Sequence, residues 1–240
     1  MKALILAAGA GSRLRPLTNT CPKPMLPVVG IPLLAWTLRW LQRYGIREVA
    51  LNLHHLPHVV REGLGDGSQF GMYLHYAYEP ELRGTAGAVR NFPGFFDTPF
   101  LVIYGDLLVD FDLDDLITFH QKQHALITIA LKHTTTPHSQ GMIELSRRGR
   151  VTSFVEKPSR WEGGTTANAG VYVCNPEVLA HIPLGVSDFG HDIIPTLLQL
   201  GATVYGREIQ GYLLDIGTPE AYKQAQQDWT QRFPVCSDVT

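Results

Sequence analysis

The segment LAAGAGSRLRPLTNTCPKP occupies residues 6–24, directly behind a short apolar start. Lys2–Ala7 reads as a strand buried on both faces, because its apolar run is nearly continuous. It delivers Ala7 and Ala8 to a loop containing Gly9 and Gly11, with Arg13, Arg15 and Lys23 close behind. Small residues let a backbone approach a ligand closely, and successive N–H groups there cradle anionic oxygens. Arginine adds bidentate pairing to phosphate, and lysine a compact, mobile charge. The combination points to phosphates. It is not the dinucleotide fingerprint, which needs G-x-G-x-x-G and then a helix: Leu14 stands at the third glycine position and Pro16 interrupts any immediate helix. Nor is it a P-loop, whose Gly-Lys-Ser/Thr ending is absent.

The rest of the chain narrows the class. Its 240 residues are 45% hydrophobic and 18% charged, with 20 Lys+Arg against 22 Asp+Glu and a net charge of −2. Such a balance excludes an obviously basic nucleic-acid binder. No run approaches the roughly 18–20 apolar residues of a membrane span, and the N-terminus lacks the apolar core of a signal peptide. Cys21, Cys174 and Cys236 form no C-x-x-C pair and are odd in number, unlike a secreted disulfide scaffold or a Cys-rich zinc site. The expectation is a cytoplasmic α/β protein with neither nucleic acid nor membrane as partner.

Strand-like and helical runs alternate through the first half, the pattern of a parallel sheet covered by helices. Strands are expected at Glu48–Leu53, Met72–Tyr78 and Phe100–Tyr104, and helices at 33–44, Pro57–Leu64, Thr85–Phe92 and Asp112–His124. The second half is richer in strands: Leu126–Leu131, Gly141–Leu145, Val151–Val155 and Ala169–Cys174. Helices return at Pro176–His181, Asp192–Leu200 and Pro219–Gln231, with Val204–Ile209 and Tyr212–Ile216 between the last two. Pro234–Thr240 is expected to fray. His120 and His124, one helical turn apart, lack a third ligand or an H-E-x-x-H pattern and suit packing better than zinc.

Further short motifs follow in order: GTAG at 84–87, GD at 105–106, FVEKP at 154–158, NAG at 168–170 and DIGTP at 215–219. With them the chain resembles the sugar-1-phosphate nucleotidyltransferases, or NDP-sugar pyrophosphorylases. The family signature G-x-G-x-R-x-x-P-L-T followed by P-K-P is matched by Gly9, Gly11, Arg13, Pro16, Leu17, Thr18, Pro22, Lys23 and Pro24. The runs GTAGAV, NAGVY and GYLLDIGTPEAY look most like mannose-1-phosphate guanylyltransferases. The resemblance implies a Rossmann-like mixed α/β fold, its mostly parallel sheet flanked by helices on both faces, with a smaller β-rich sugar-binding portion. It implies one domain over 1–240: 1–125 mainly nucleotide-binding, 126–217 mainly sugar-phosphate-binding, 218–240 a C-terminal helix and tail. No room is expected there for the C-terminal β-helix of longer relatives.

The resemblance also implies roles. Nucleotide contacts fall on Leu6, Ala8, Gly9, Gly11, Ser12, Arg13, Lys23, Gly84 and Thr85, and sugar-phosphate contacts on Gly141, Glu156, Lys157, Asn168 and Gly170. Gln140 replaces the aromatic that usually precedes the glycine at 141. Asp106 and Asp215 would hold Mg²⁺, while Arg13, Lys23, Asp106 and Lys157 would carry catalysis. Asp106 also follows a buried strand, at the carboxyl end where open α/β sheets bind ligands. The implied reaction joins an NTP and a sugar-1-phosphate into an NDP-sugar and pyrophosphate, with GTP and mannose-1-phosphate the leading pair, in a monomer or homodimer. UTP-dependent transfer to glucose-1-phosphate or N-acetylmuramate-1-phosphate is the alternative substrate pair. The alternative of another class is a non-catalytic sugar-nucleotide-binding regulatory subunit. Such a protein is expected to lose the cations or carboxylates that Arg13, Lys23, Asp106, Lys157 and Asp215 supply here.

Overall fold

In the computed structural model, which describes residues 1–233, the first apolar run forms β1 (Lys2–Leu6). A two-rung hairpin, β2 (Pro27–Val28) and β3 (Ile31–Pro32), leads into α1 (Leu33–Arg43) and β4 (Glu48–Leu53). There follow α2 (Pro57–Leu64), β5 (Tyr73–Tyr78), the single turn α3 (Gly84–Gly87) and β6 (Phe100–Tyr104). The chain continues through β7 (Leu107–Phe111), α4 (Leu113–Gln123), β8 (Ile127–His133), β9 (Gly141–Leu145), β10 (Val151–Glu156) and β11 (Thr166–Cys174). It closes with α5 (Ile194–Gln199), β12 (Val204–Glu208), β13 (Gly211–Asp215) and α6 (Pro219–Arg232).

Nine strands make one sheet. β5, β4, β1 and β6 lie side by side in parallel, and β11 adds antiparallel to β6. β11 then branches, pairing with both β8 and β9, and its register shifts between Asn168 and Tyr172. Alternate residues of β1 feed opposite cores, as the period of two requires. Ala3 and Ile5 pack with Leu34, Leu38 and Leu41 of α1 and with Val60 and Leu64 of α2. Leu4 packs with Ala86, Ala88 and Val89 and with Ile194 and Leu197 of α5. Helices therefore cover both faces, and the residues that pair with the ends of β1 are held from both sides.

Local signals account for the helix ends. Gly45, at φ 74°, turns the chain out of α1. The Asp112 carboxylate accepts the Asp114 and Asp115 N–H groups at the start of α4, satisfying donors that a helix leaves unpaired. The expected helix over Thr85–Phe92 is one α-turn followed by a 3-10 stretch, Ala88–Asn91. Pro176–His181 is also 3-10, and Phe189–Ile193 forms a wider π-turn before α5.

Besides the short β2–β3 hairpin, β7 has no counterpart in the sequence reading. After Gly105-Asp106 the chain turns into β7, which pairs antiparallel with β13 in a ribbon separate from the main sheet. Ile216 and Leu108 pack there with Ala225 and Trp229 of α6. The expected fraying of Pro234–Thr240 lies outside the described residues, as does Cys236.

Candidate active site

The site is built where β1 and β6 end. Leu6 lies in register with Tyr104, and the Gly105 N–H donates to the Leu6 carbonyl at 3.0 Å. A Cβ on Gly105 would stand 2.6 Å from that carbonyl oxygen, so only glycine lets the two strand ends lie this close. Asp106 follows immediately. The β7–β13 ribbon brings Asp215 beside it: Asp215 is opposite Leu107, and the Ile216 N–H donates to the Asp106 carbonyl at 3.0 Å.

Lys23 joins the two carboxylates. Its ammonium lies 2.6 Å from Asp106 Oδ2 and 3.4 Å from Asp215 Oδ1. The Lys23 side chain is buried at the start of a 3-10 turn, against the backbone of Gly11. Gly11 itself has φ 61°, and a Cβ there would come within 2.9 Å of both Lys23 Cβ and Thr18 Cγ2. That glycine therefore serves conformation and closeness at once. Gly217, which donates its N–H to Asp215 Oδ1 at 2.7 Å, leaves space that Arg13 and Lys23 use: a Cβ would meet Arg13 Nη2 at 2.9 Å.

Two cavities flank this cluster and share Tyr104 and Asp106. The smaller, about 240 Å³, is lined by Leu6, Ala8, Gly9, Lys23, Gly84 and Thr85 among others. The larger, about 870 Å³, takes in Arg13, Gly141, Glu156, Lys157, Asn168, Gly170 and Asp215. Nearly every expected residue thus enters one wall or the other. Arg13 faces the larger cavity, while Gly11 and Ser12 line neither.

Several expected side chains are already engaged. Thr85 donates both its N–H and its hydroxyl to Asp188 Oδ1, each at 2.9 Å, and the hydroxyl accepts from the Phe189 N–H. The Ala86 and Gly87 N–H groups donate to the Ser187 carbonyl, against which any Cβ on Gly84 would collide. GTAG therefore shapes the wall through contact with residues 187–189. Asn168 accepts the Gly170 N–H at 2.9 Å and donates to the Tyr172 hydroxyl at 2.6 Å, in a chain that continues to Tyr104 at 3.2 Å. Burial pushes the Tyr104 phenol up to about 12, so it remains a proton donor at neutral pH. Glu156 packs against Gly141 and Gly190, at each of which a Cβ would crowd its carboxylate. Lys157, next in the chain, has φ 45° and sits exposed with its ammonium 3.4 Å from Glu156.

Burial and the neighbouring Asp215 charge raise the Asp106 carboxyl above its ordinary pKa, only partly offset by Lys23. Two carboxylates converging on one cation leave the site short of positive charge. That donor set fits Mg²⁺, which binds through one or two carboxylates and completes its shell with water and substrate phosphate. Among the described residues no cluster of three His, Cys, Asp or Glu side chains offers a fuller metal cage.

The sequence reading missed Asn52, Glu79, Lys132 and Asp188. Asn52 accepts the Ala7 N–H at 3.0 Å and donates to Glu79 at 3.0 Å, fixing the floor of the smaller cavity. Its signal was a lone polar residue inside the apolar run EVALNL. Lys132 comes from β8, and nothing in the run ITIALKH separates it from a solvated strand end.

Comparison with known proteins identifies relatives across nearly the whole described chain. A mannose-1-phosphate guanylyltransferase of Mycobacterium tuberculosis is 36% identical over 232 residues, covering 94% of this chain and 64% of its own length. A UTP–glucose-1-phosphate uridylyltransferase of Synechocystis is 35% identical over 243 residues, covering 94% and 62%. The chain thus spans less than two thirds of the curated relatives it matches. Among solved structures, a candidate glucose-1-phosphate thymidylyltransferase of Bacillus anthracis, crystallised with sucrose, superposes with a TM-score of 0.85 at 23% identity, covering 100% of this chain and 96% of its own. HddC of Yersinia pseudotuberculosis complexed with GMP-PN reaches 0.80 at 24% identity, covering 95% and 99%. Among the described residues no helix is long and apolar enough to cross a membrane. With the nucleotidyl transferase family pattern matching residues 2–232, nearly the whole described chain, this protein belongs to that family.

Proposed function

We propose that the chain transfers a nucleoside monophosphate from an NTP to a sugar-1-phosphate, releasing pyrophosphate. The observation that carries this reading is the shared wall: Asp106 and Tyr104 face both cavities, so ligands held in the two meet beside Lys23. The acceptor's phosphate oxygen is already anionic at neutral pH, and no Ser, Cys or His nucleophile is needed. Catalysis then rests on holding two polyanions in line and on cations already in place for the charge that builds up.

In this reading the smaller cavity takes the base and ribose, between the Ala8–Gly9 backbone and the GTAG turn. Lys23 spans the attacking and α-phosphate oxygens, and Arg13, beside Gly217, holds the departing pyrophosphate. Lys157 grips the sugar phosphate, and Glu156, Asn168 and the Gly141 and Gly170 backbones surround the sugar. Asp106 and Asp215 would hold Mg²⁺, which when bound supplies Lewis-acid charge to the reacting phosphates. Lys23 lies between these carboxylates before substrate arrives and keeps them from repelling one another.

GTP with mannose-1-phosphate is the substrate pair we favour. Glu79 is a buried carboxylate in the lining of the smaller cavity, oriented by Asn52, by Asn91 at 2.7 Å and by the Arg83 N–H at 3.1 Å. Guanine presents two adjacent donors that such an acceptor suits, whereas uracil presents one donor between two carbonyls. The similarity to the Synechocystis uridylyltransferase favours UTP with glucose-1-phosphate as the second reading. Pyrophosphate release measured for four NTPs against mannose-, glucose- and N-acetylmuramate-1-phosphates separates them. Absence of release from every pair would overturn the transfer reading and leave the sugar-nucleotide-binding regulatory subunit.

A further inference from the structure

Lys132 stands in the larger cavity's wall with no hydrogen-bond or ion-pair partner among the described residues. It follows Leu131, the last residue of β8 in register with β12, and is paired across β11 with Ala167. By strand alternation its side chain shares a face with Ala130, whose core includes Leu107 and Ala169, both of which also line the cavity. The side chain is partly buried, and its ammonium makes no hydrogen bond or ion pair with any described residue. Its charge neighbours are Asp215 and Asp106, which favour the charged form, yet burial outweighs them and lowers its pKa. A cation withdrawn from water with no anion in hydrogen-bond contact is costly unless a ligand supplies one.

Position tells which anion. Lys132 lines the larger cavity and not the smaller, away from the base and ribose. Its pairing with Ala167, next to Asn168, sets it on the acceptor's side of that cavity, whereas Arg13 enters beside Gly217. Within that cavity it lies in electrostatic reach of the two carboxylates where the reacting phosphates meet, which places it near the phosphate end of the acceptor. Lys157 reaches the same cavity from an exposed position beside Glu156. We propose that Lys132 is a second phosphate-binding lysine, holding the sugar-1-phosphate from the inner wall while Lys157 holds it from the rim. The assignment rests on the nucleotidyl-transfer reading for the identity of its ligand. A compact ammonium on a stiff strand fixes the acceptor phosphate in the line of attack, a task that a mobile rim lysine performs less well.

The test titrates the 1-phosphates of α-D-mannose, α-D-glucose and N-acetylmuramate calorimetrically into the full chain as wild type, Lys132→Met and Lys132→Arg. Lys132→Met is expected to weaken acceptor binding at least about tenfold, the scale of one lost charge-assisted hydrogen bond. Its KM for NTP should stay unchanged, and Lys132→Arg should restore most of the affinity. If Lys132→Met fails to fold, Lys132→Gln is read the same way. Unaltered acceptor binding in the Met or Gln variant, or equal losses for acceptor and NTP, would overturn the proposal. A wild type that binds a sugar phosphate but releases no pyrophosphate refutes the transfer reading while the Lys132 comparison still decides its own case. A wild type that binds none of the three sugar phosphates overturns both.

Discussion

Replacing Gly105 by alanine probes the join on which the whole site depends. Gly105 is not among the residues of positive φ, so alanine suits the backbone and the effect is steric alone. Its Cβ would lie 2.6 Å from the Leu6 oxygen and 3.3 Å from Ala7 Cα, where ordinary contact begins at 3.4 Å. The gap must therefore open by about 0.8 Å, the difference between 3.4 and 2.6 Å. β1 cannot yield along its length, since β4 and β6 pair with it on both sides. The displacement falls on its end, on the Ala7–Gly9 loop and on Asp106. Misplacing reacting groups by about 1 Å costs on the order of 100-fold in rate, or about 2.7 kcal/mol of barrier. Overpacking adds about 1–3 kcal/mol of lost stability. Pyrophosphate release should show kcat/KM down roughly 100-fold, with a lowered urea midpoint. Gly164→Ala, whose Cβ meets nothing within 4 Å, should change neither. A Gly105→Ala protein with wild-type turnover and midpoint would refute the reasoning, because the strand ends would then have absorbed the methyl without moving Asp106.

Gly9→Ala has no protein atom within 4 Å of the new Cβ, yet Gly9 lines the smaller cavity. Its melting temperature should match wild type while its KM for NTP rises, and an unchanged KM would remove Gly9 from the nucleotide wall. Asp106→Ala should lower turnover by at least about two orders of magnitude while the protein stays folded, as expected for lost electrostatic stabilisation; near-normal pyrophosphate release would remove it from the metal set. His120 is buried against Thr128 and Asn175, and burial holds its pKa below the usual 6.5. Between the two values the unfolded chain binds more protons, so stability is full above about 6.5 and falls as pH drops towards the folded pKa. Urea midpoints across that window should decline for wild type and stay flatter for His120→Gln.

Much of this fold is legible from period and punctuation. Glu48–Leu53, Pro57–Leu64, Phe100–Tyr104 and Gly141–Leu145 match the expected bounds, because glycine or a run of polar residues follows each and leaves little choice. β7 was hidden because Leu107–Phe111 is a short apolar run lying directly between Gly105-Asp106 and the Asp112 cap. Its partner β13 comes a hundred residues later, and such pairing leaves no local mark. The phosphate loop was legible by residue type and spacing, whereas Glu156, Lys157, Asn168 and Asp215 entered the reading through the family resemblance. Lys132, Glu79 and Asp188 were not legible, since each acquires its place only when a distant strand or turn folds against it. Thr85 shows the converse: its motif was plain, but its bonds to Asp188 were not.

The ribbon of β7 and β13 also sets an order of assembly. Every residue lining the smaller cavity lies at or before Asp188, whereas the larger cavity needs Leu213 to Ala221 as well. A chain emerging from its N-terminus has therefore delivered the whole nucleotide wall while one of the two carboxylates is still missing. Docking of β13 both supplies Asp215 and completes the lining of the larger cavity. In the proposed reading chemistry therefore waits on β13, so a chain ending before it would lack Asp215 and that part of the larger cavity's wall.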